Sequence, residues 1–117
     1  MLATEEFFPA LADTTRLRCL LLLAAEDELC VCELMHALGE SQPKISRHLA
    51  TLREMNVVAD RRAGQWIYYR LHPELPPWAR GVLQQALKGA AKAKPHKTDL
   101  RALKTMPNRP NGMRCCK

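Results

Sequence analysis

A mostly α fold with one β-hairpin, in the order α-α-α-α-β-β-α, is predicted by three observations on the 117-residue sequence. Apolar residues recur at helical spacing in successive segments before Met55. Two of those segments are separated by only about three residues, too few for anything but a tight turn. From Val57 to Leu71 the period falls to two, on either side of Ala63-Gly64, as it does in a strand pair. Two helices joined by a short turn and followed by a hairpin make a winged helix-turn-helix.

Each element has its own signal. Glu5 to Ala12 reads as a short first helix with Phe7, Phe8 and Leu11 as its apolar positions. Asp13 or Thr14 can cap a second helix running to about Ala25, with Leu17, Leu20, Leu21 and Ala24 on one face. Val31, Leu34, Met35 and Leu38 give the buried stripe of a short third helix, and Gly39 suits its stop. Ser41 caps the fourth helix, Pro43 is tolerated in its first turn, and Ile45, Leu49 and Leu52 form its stripe. Trp66 to Leu71 alternates between two faces opposite Val57-Val58 and Arg61-Arg62, a basic wing. Pro76-Pro77 starts a last helix with Trp78, Val82, Leu83, Ala86, Leu87 and Ala90 at helical spacing. Its stripe needs a partner. Residues 1–93 therefore read as one DNA-binding and dimerisation domain. Residues 94–117, rich in Lys, Pro and Asn and ending in Cys115-Cys116, read as a flexible basic tail.

Composition narrows the class. No run approaches the roughly 20 apolar residues of a membrane span, and no basic-then-apolar secretion signal opens the chain, so a soluble cytoplasmic protein with no membrane partner is expected. Without export, its five cysteines are read as thiols available to soft metals rather than as a disulfide framework. Net charge is +6, but residues 88–117 hold nine Lys/Arg against Asp99 alone. Within the body, residues 44–70 carry Lys44, Arg47, Arg53, Arg61, Arg62 and Arg70 against Glu54 and Asp60. Residues 26–40 carry five acidic residues and no Lys or Arg. The middle of the chain suits phosphates; the cysteine segment before it does not.

At about 100° per residue, Lys44, Arg47, His48 and Thr51 share one flank of the fourth helix, clear of its apolar stripe. Ser41, Gln42, Lys44, Ser46, Arg47 and His48 are the expected groove-facing set, with Arg61 and Arg62 on the backbone or minor groove beside it. Charge alone would favour a solvated helix beside a surface hairpin. The turn, the cap, the wing and the placement of charge together reverse that choice in favour of double-stranded DNA.

Four stretches, Ala10 to Arg18, Glu28 to Leu34, Ser41 to Leu49 and Gly64 to Leu71, together resemble the ArsR/SmtB family of metal-responsive repressors, most closely its arsenic-responsive members. The resemblance covers about residues 5–80. It implies a homodimer that binds an inverted-repeat operator, represses its own operon and leaves when its inducer binds. It also implies that the first and last helices build the dimer, which assigns Phe7, Phe8, Leu11, Trp78, Val82, Leu83 and Leu87 to that interface. No enzyme and no catalytic cofactor are implied.

Cys30 and Cys32 are the expected inducer site, for trivalent arsenic or antimony. In a continuous helix, residues two apart point roughly 200° away from each other, so joint ligation is expected to unwind the first turn of the third helix. That helix packs on the DNA-reading one, and its distortion would spoil operator binding. Many arsenite sensors of this type carry a third cysteine where this chain has Met35, which instead completes an apolar stripe. A third ligand could be Cys115 or Cys116, a small thiol or hydroxide, and a methylated arsenical would need only two thiols. Cys19 reads as a buried, inert thiol, His36 as a partly exposed polar residue, and His72 and His96 as surface residues. The last helix lacks the His and acidic ligands some relatives place there. Two alternatives stay open: a Cd/Pb/Zn-responsive repressor using the same pair, and a thiol redox protein, which the absence of Cys-x-x-Cys spacing disfavours.

Overall fold

A computed structural model describes residues 2–107. The chain runs α1 (Thr4–Leu11), α2 (Thr14–Glu26), β1 (Glu28–Cys30), α3 (Val31–Leu38), α4 (Gln42–Glu54), β2 (Val58–Ala63), β3 (Trp66–Leu71), α5 (Pro77–Ala90) and α6 (His96–Lys104). The winged helix-turn-helix is present, with two elements added to the predicted order: β1 and α6.

Helix boundaries follow the capping chemistry. Asp13 accepts the Arg16 amide at 3.0 Å and so starts α2. Ser41 accepts the Lys44 amide and starts α4 with Pro43 in its first turn. Gly39 ends α3 in the left-handed region, at φ 67°, where a side chain would be strained. The remaining turn of the helix-turn-helix is only Gly39, Glu40 and Ser41. Leu20, Leu22, Leu23, Leu34, Ile45, Leu49, Leu52, Val57 and Leu83 are fully buried where α2, α3, α4 and α5 meet.

The sheet has three antiparallel strands in the order β1-β3-β2. In the hairpin, Ala63 pairs with Trp66 and Val58 with Leu71. β1 lies on the other edge of β3, with Glu28, Leu29 and Cys30 opposite Arg70, Tyr69 and Tyr68. A three-residue strand is too short to show a period of two, which is why the sequence pattern gave only a hairpin.

The second addition corrects the expected tail. Residues 96–104 form a helix that packs on α3 and α2. Its inner face is His96, Asp99, Leu100 and Leu103, at i, i+3, i+4 and i+7. Two of the four are polar, so a search for apolar recurrence passes over it. Asp99 is neutralised by Arg18 on α2, which reaches both carboxylate oxygens at 2.8 and 2.9 Å. A third contact of the Arg18 guanidinium goes to the Leu38 carbonyl at the end of α3. His96, expected at the surface, is buried with its Nδ1 unpartnered among the described residues. Cys115 and Cys116 lie outside those residues.

Candidate functional site

Cys30 and Cys32 stand where a strand becomes a helix. Cys30 is the last residue of β1 and the N-cap of α3, extended at φ −87°, ψ 166°, whereas Cys32 is in the first helical turn. That change of backbone turns the two side chains toward each other and leaves their sulfurs 2.8 Å apart. A disulfide bond is about 2.05 Å long. The expected unwinding is therefore not needed, because the continuous-helix premise fails one residue before the helix begins.

The pair is set into the protein rather than displayed on it. Cys30 is fully buried and Cys32 half-buried. Burial pushes the Cys30 thiol up to about 11; the Glu33 carboxylate pushes the same way, and the amides of Glu33 and Cys32 act against it. The thiol is protonated at neutral pH. Glu33, almost wholly buried, accepts the Cys30 amide at 2.9 Å. Sequence reading had treated Glu33 only as a nearby charge, yet Cys30-x-x-Glu33 has the spacing of a capping box, with Cys in the place of Ser or Thr. Met35 is half-buried against the core. Cys19 is fully buried, its thiol pushed up to about 12 by desolvation. Among the described residues, no group of three or more His, Cys, Asp and Glu side chains is arranged to enclose a metal ion.

The opposite face of α4 carries the polar set. Gln42 and Arg47 are exposed, and Gln42 Nε2 donates to Ser46 Oγ at 2.9 Å. Lys44 pairs with Glu40 at 3.2 Å. His48 departs from expectation: it is buried, with Nε2 3.8 Å from Asp13 Oδ2 at the start of α2. On a helical wheel His48 stands about 60° from the centre of the Ile45/Leu49/Leu52 stripe and a similar angle from the Lys44/Arg47/Thr51 flank. In the structure it takes the inward side, toward the start of α2. Burial lowers the pKa of His48 despite the Asp13 carboxylate.

Arg61 and Arg62 alternate across β2. Arg62 is exposed and, among the described residues, makes no ion pair, as is true of Arg47. Arg61 instead grips Glu28 of β1 through two contacts of 2.7 and 2.8 Å and lies 4.7 Å above the Tyr68 ring. Tyr68 is the strand partner of Cys30. The wing is thus joined to the thiol-bearing strand by backbone pairing and by an ion pair.

Of the apolar residues assigned to an interface, Phe7 and Leu83 are buried within the chain itself, because Phe7 packs edge-on against Trp78 and Leu83 faces the core. Phe8 and Trp78 remain exposed, at 49% and 39%, and Leu11, Val82 and Leu87 are partly so.

A domain described as "Bacterial regulatory protein, arsR family" matches residues 13–60, which span α2 through the start of the wing. The chain is 57% identical over 88 residues to the "Arsenic resistance transcriptional regulator ArsR2" of Pseudomonas putida, covering 75% of this chain and 76% of that protein. This chain belongs to the arsR family. To ArsR1 of the same organism it is 65% identical over 77 residues, covering 66% of this chain and 60% of the relative's length. Among solved structures, the AntR antimony-specific transcriptional repressor superposes with a TM-score of 0.62 at 29% identity, over 78% of this chain and 85% of AntR. As an arsR-family member the chain is a transcriptional regulator that binds DNA through its helix-turn-helix, and not an enzyme. No helix among the described residues is long and apolar enough to cross a membrane.

Proposed function

We propose that this chain is an arsenic-responsive repressor. As a homodimer it binds an inverted-repeat operator through Ser41, Gln42, Lys44, Ser46 and Arg47 of the α4 region and through Arg61 and Arg62 of the wing. It leaves when trivalent arsenic or antimony bridges Cys30 and Cys32. The single observation that carries this reading is the pair of sulfurs held 2.8 Å apart at the start of the helix that packs on α4.

The chemistry suits a neutral hydroxide of a soft element. Each thiol forms one bond to arsenic and its proton leaves with one displaced hydroxyl as water, with no change of oxidation state. A dication would have to expel the thiol protons into solvent, against a Cys30 thiol pushed up to about 11. The third position on arsenic is filled by hydroxide, a small thiol, Cys115 or Cys116, or by the carbon of a methylated arsenical.

Release follows from where the pair sits. The bound atom acts on α3, which contacts α4, and on β1, whose partner β3 and whose Glu28 hold the wing. Shifting a repressor from mostly bound to mostly free takes about 5 kcal/mol of differential affinity, which two new covalent contacts can supply. Phe8, Leu11, Trp78, Val82 and Leu87 offer the second protomer an apolar surface, which two-fold operator symmetry requires.

Fluorescence anisotropy on an inverted-repeat duplex tests this. The wild type should bind with a steep salt dependence and dissociate on arsenite or antimonite, and Cys30→Ser/Cys32→Ser should stay bound. Release of the double variant at the wild-type arsenite concentration would remove the site assignment. Release by Cd²⁺ or Zn²⁺ in preference to arsenite would replace the inducer.

A further inference from the structure

We propose that Glu33 is the positioning residue of the thiol pair: by holding the Cys30 backbone out of the helix, its carboxylate keeps the two sulfurs facing one bridging atom. This rests on the Cys30/Cys32 reading above and adds a residue that acts through Cys30 without touching the arsenical.

The two sulfurs meet only while Cys30 stays extended. If α3 grew backward by one residue, Cys30 would join the helix and its side chain would turn roughly 200° from that of Cys32. Nothing in the residue type prevents this, since Cys has no special resistance to the first turn of a helix. What prevents it is where the Cys30 amide goes. As the first helical residue Cys30 would leave its amide among the orphan donors of the helix start and put Glu33 at the fourth position, whereas as the cap it donates that amide to Glu33 Oε1 at 2.9 Å. Strand pairing of Cys30 with Tyr68 holds the other side of the same residue.

Glu33 is suited to this by burial and by place. It is only 4% exposed, so its carboxylate has few ways to move without losing hydrogen bonds that it cannot recover from water. It lies in the first turn of α3, where the unpaired amides and the helix dipole favour a negative charge. The spacing is that of a capping box, and the cap residue itself carries one of the two thiols. An ordinary helix cap thus also orients a ligand. For a chelator, such pre-orientation raises affinity because less freedom is lost when the second bond closes.

The test uses full-length protein and phenylarsine oxide, a trivalent arsenical that takes two thiols. Glu33→Gln keeps an acceptor for the Cys30 amide, and Glu33→Ala removes it. We expect Glu33→Ala to weaken phenylarsine oxide binding about tenfold, the loss expected of one missing cap, with inducer-free operator affinity within about twofold of wild type. Glu33→Gln should bind the arsenical within about threefold of wild type. Wild-type affinity in Glu33→Ala would overturn the proposal. So would a parallel loss of operator affinity, which marks a merely structural residue. So would a tenfold loss in Glu33→Gln, an arm that decides the matter even if Glu33→Ala does not fold. Cys30→Ser/Cys32→Ser separates the two layers: undiminished phenylarsine oxide binding there removes the thiol site itself, whereas its loss there with wild-type binding in Glu33→Ala removes Glu33 alone.

Discussion

The two ends of α3 are built for different work. At the N-terminal end the helix starts on Cys30, with Cys32 in the first turn and Glu33 folded back to the cap, and it is continuous with the sheet edge that leads to the wing. At the C-terminal end, Gly39 stops the helix while Arg18 binds the Leu38 carbonyl and the Asp99 carboxylate together, clamping α2, α3 and α6. One end carries the two cysteines on a strand-to-helix junction whose Leu29, Cys30 and Glu33 are buried. The other presents no chemistry and ties three helices with a nearly buried ion pair. Under the proposed function the contrast teaches that a receiver helix needs one anchored end: a displacement at the cysteines would reach α4 and the wing only if the far end did not follow it.

Removing α6 breaks the contrast most severely. A chain ending at Ala93 loses the fully buried Leu103 and the partner of Arg18, and should be destabilised by about 3–5 kcal/mol in urea unfolding. A tail that did no packing would leave the midpoint unchanged. Arg18→Met, which leaves the Asp99 carboxylate buried and unpaired, should cost about 3 kcal/mol. At the opposite end Cys30→Ser/Cys32→Ser should stay within about 1.5 kcal/mol of wild type by the same measurement, since the sheet pairing and the Glu33 cap remain. If the clamp variants lost arsenical binding while keeping stability, the division of labour would be reversed.

How legible this was in the sequence depended on which physical signal each residue carried. α2, α3 and α4 were readable because cap, stripe and stop agree: Asp13, Ser41 and Gly39 act in the structure as their chemistry implies. The thiol pair was readable from spacing, but its geometry was not. The sulfurs converge because backbone type changes between Cys30 and Val31, and a wheel drawn through both residues erases that change. α6 was hidden because its inner face includes His96 and Asp99, whose burial makes sense only once Arg18, far away in sequence, is known to face them. His48 was misplaced for a related reason: its angle on α4 lies between two faces, and the side it takes depends on packing against the start of another helix.

Smaller effects sharpen the same picture. Glu28→Gln frees Arg61 from a partly exposed ion pair that competes with phosphate, so operator affinity should rise by up to about fivefold. Unchanged affinity would place Arg61 away from the DNA. The smallest expected effect is on pH dependence. Burial lowers the pKa of His96 below its usual 6.5, so the unfolded chain takes up the proton first as pH falls. His96 therefore contributes a loss of stability that begins below about pH 6.5 and grows toward its folded-state value, with no effect at pH 8. His96→Gln should flatten the slope of unfolding free energy between pH 7 and 5, and an unaltered slope would assign the acid sensitivity to His48, whose pKa is lowered in the same direction.

The central proposal, that Cys30 and Cys32 together receive the inducer, is tested most directly by arsenic K-edge absorption on the reduced, arsenite-loaded protein. With Cys115→Ser/Cys116→Ser in place, the account predicts that arsenic keeps two sulfur neighbours and that further replacing Cys30 and Cys32 by serine removes both. Sulfur coordination that survives the loss of Cys30 and Cys32 would contradict it.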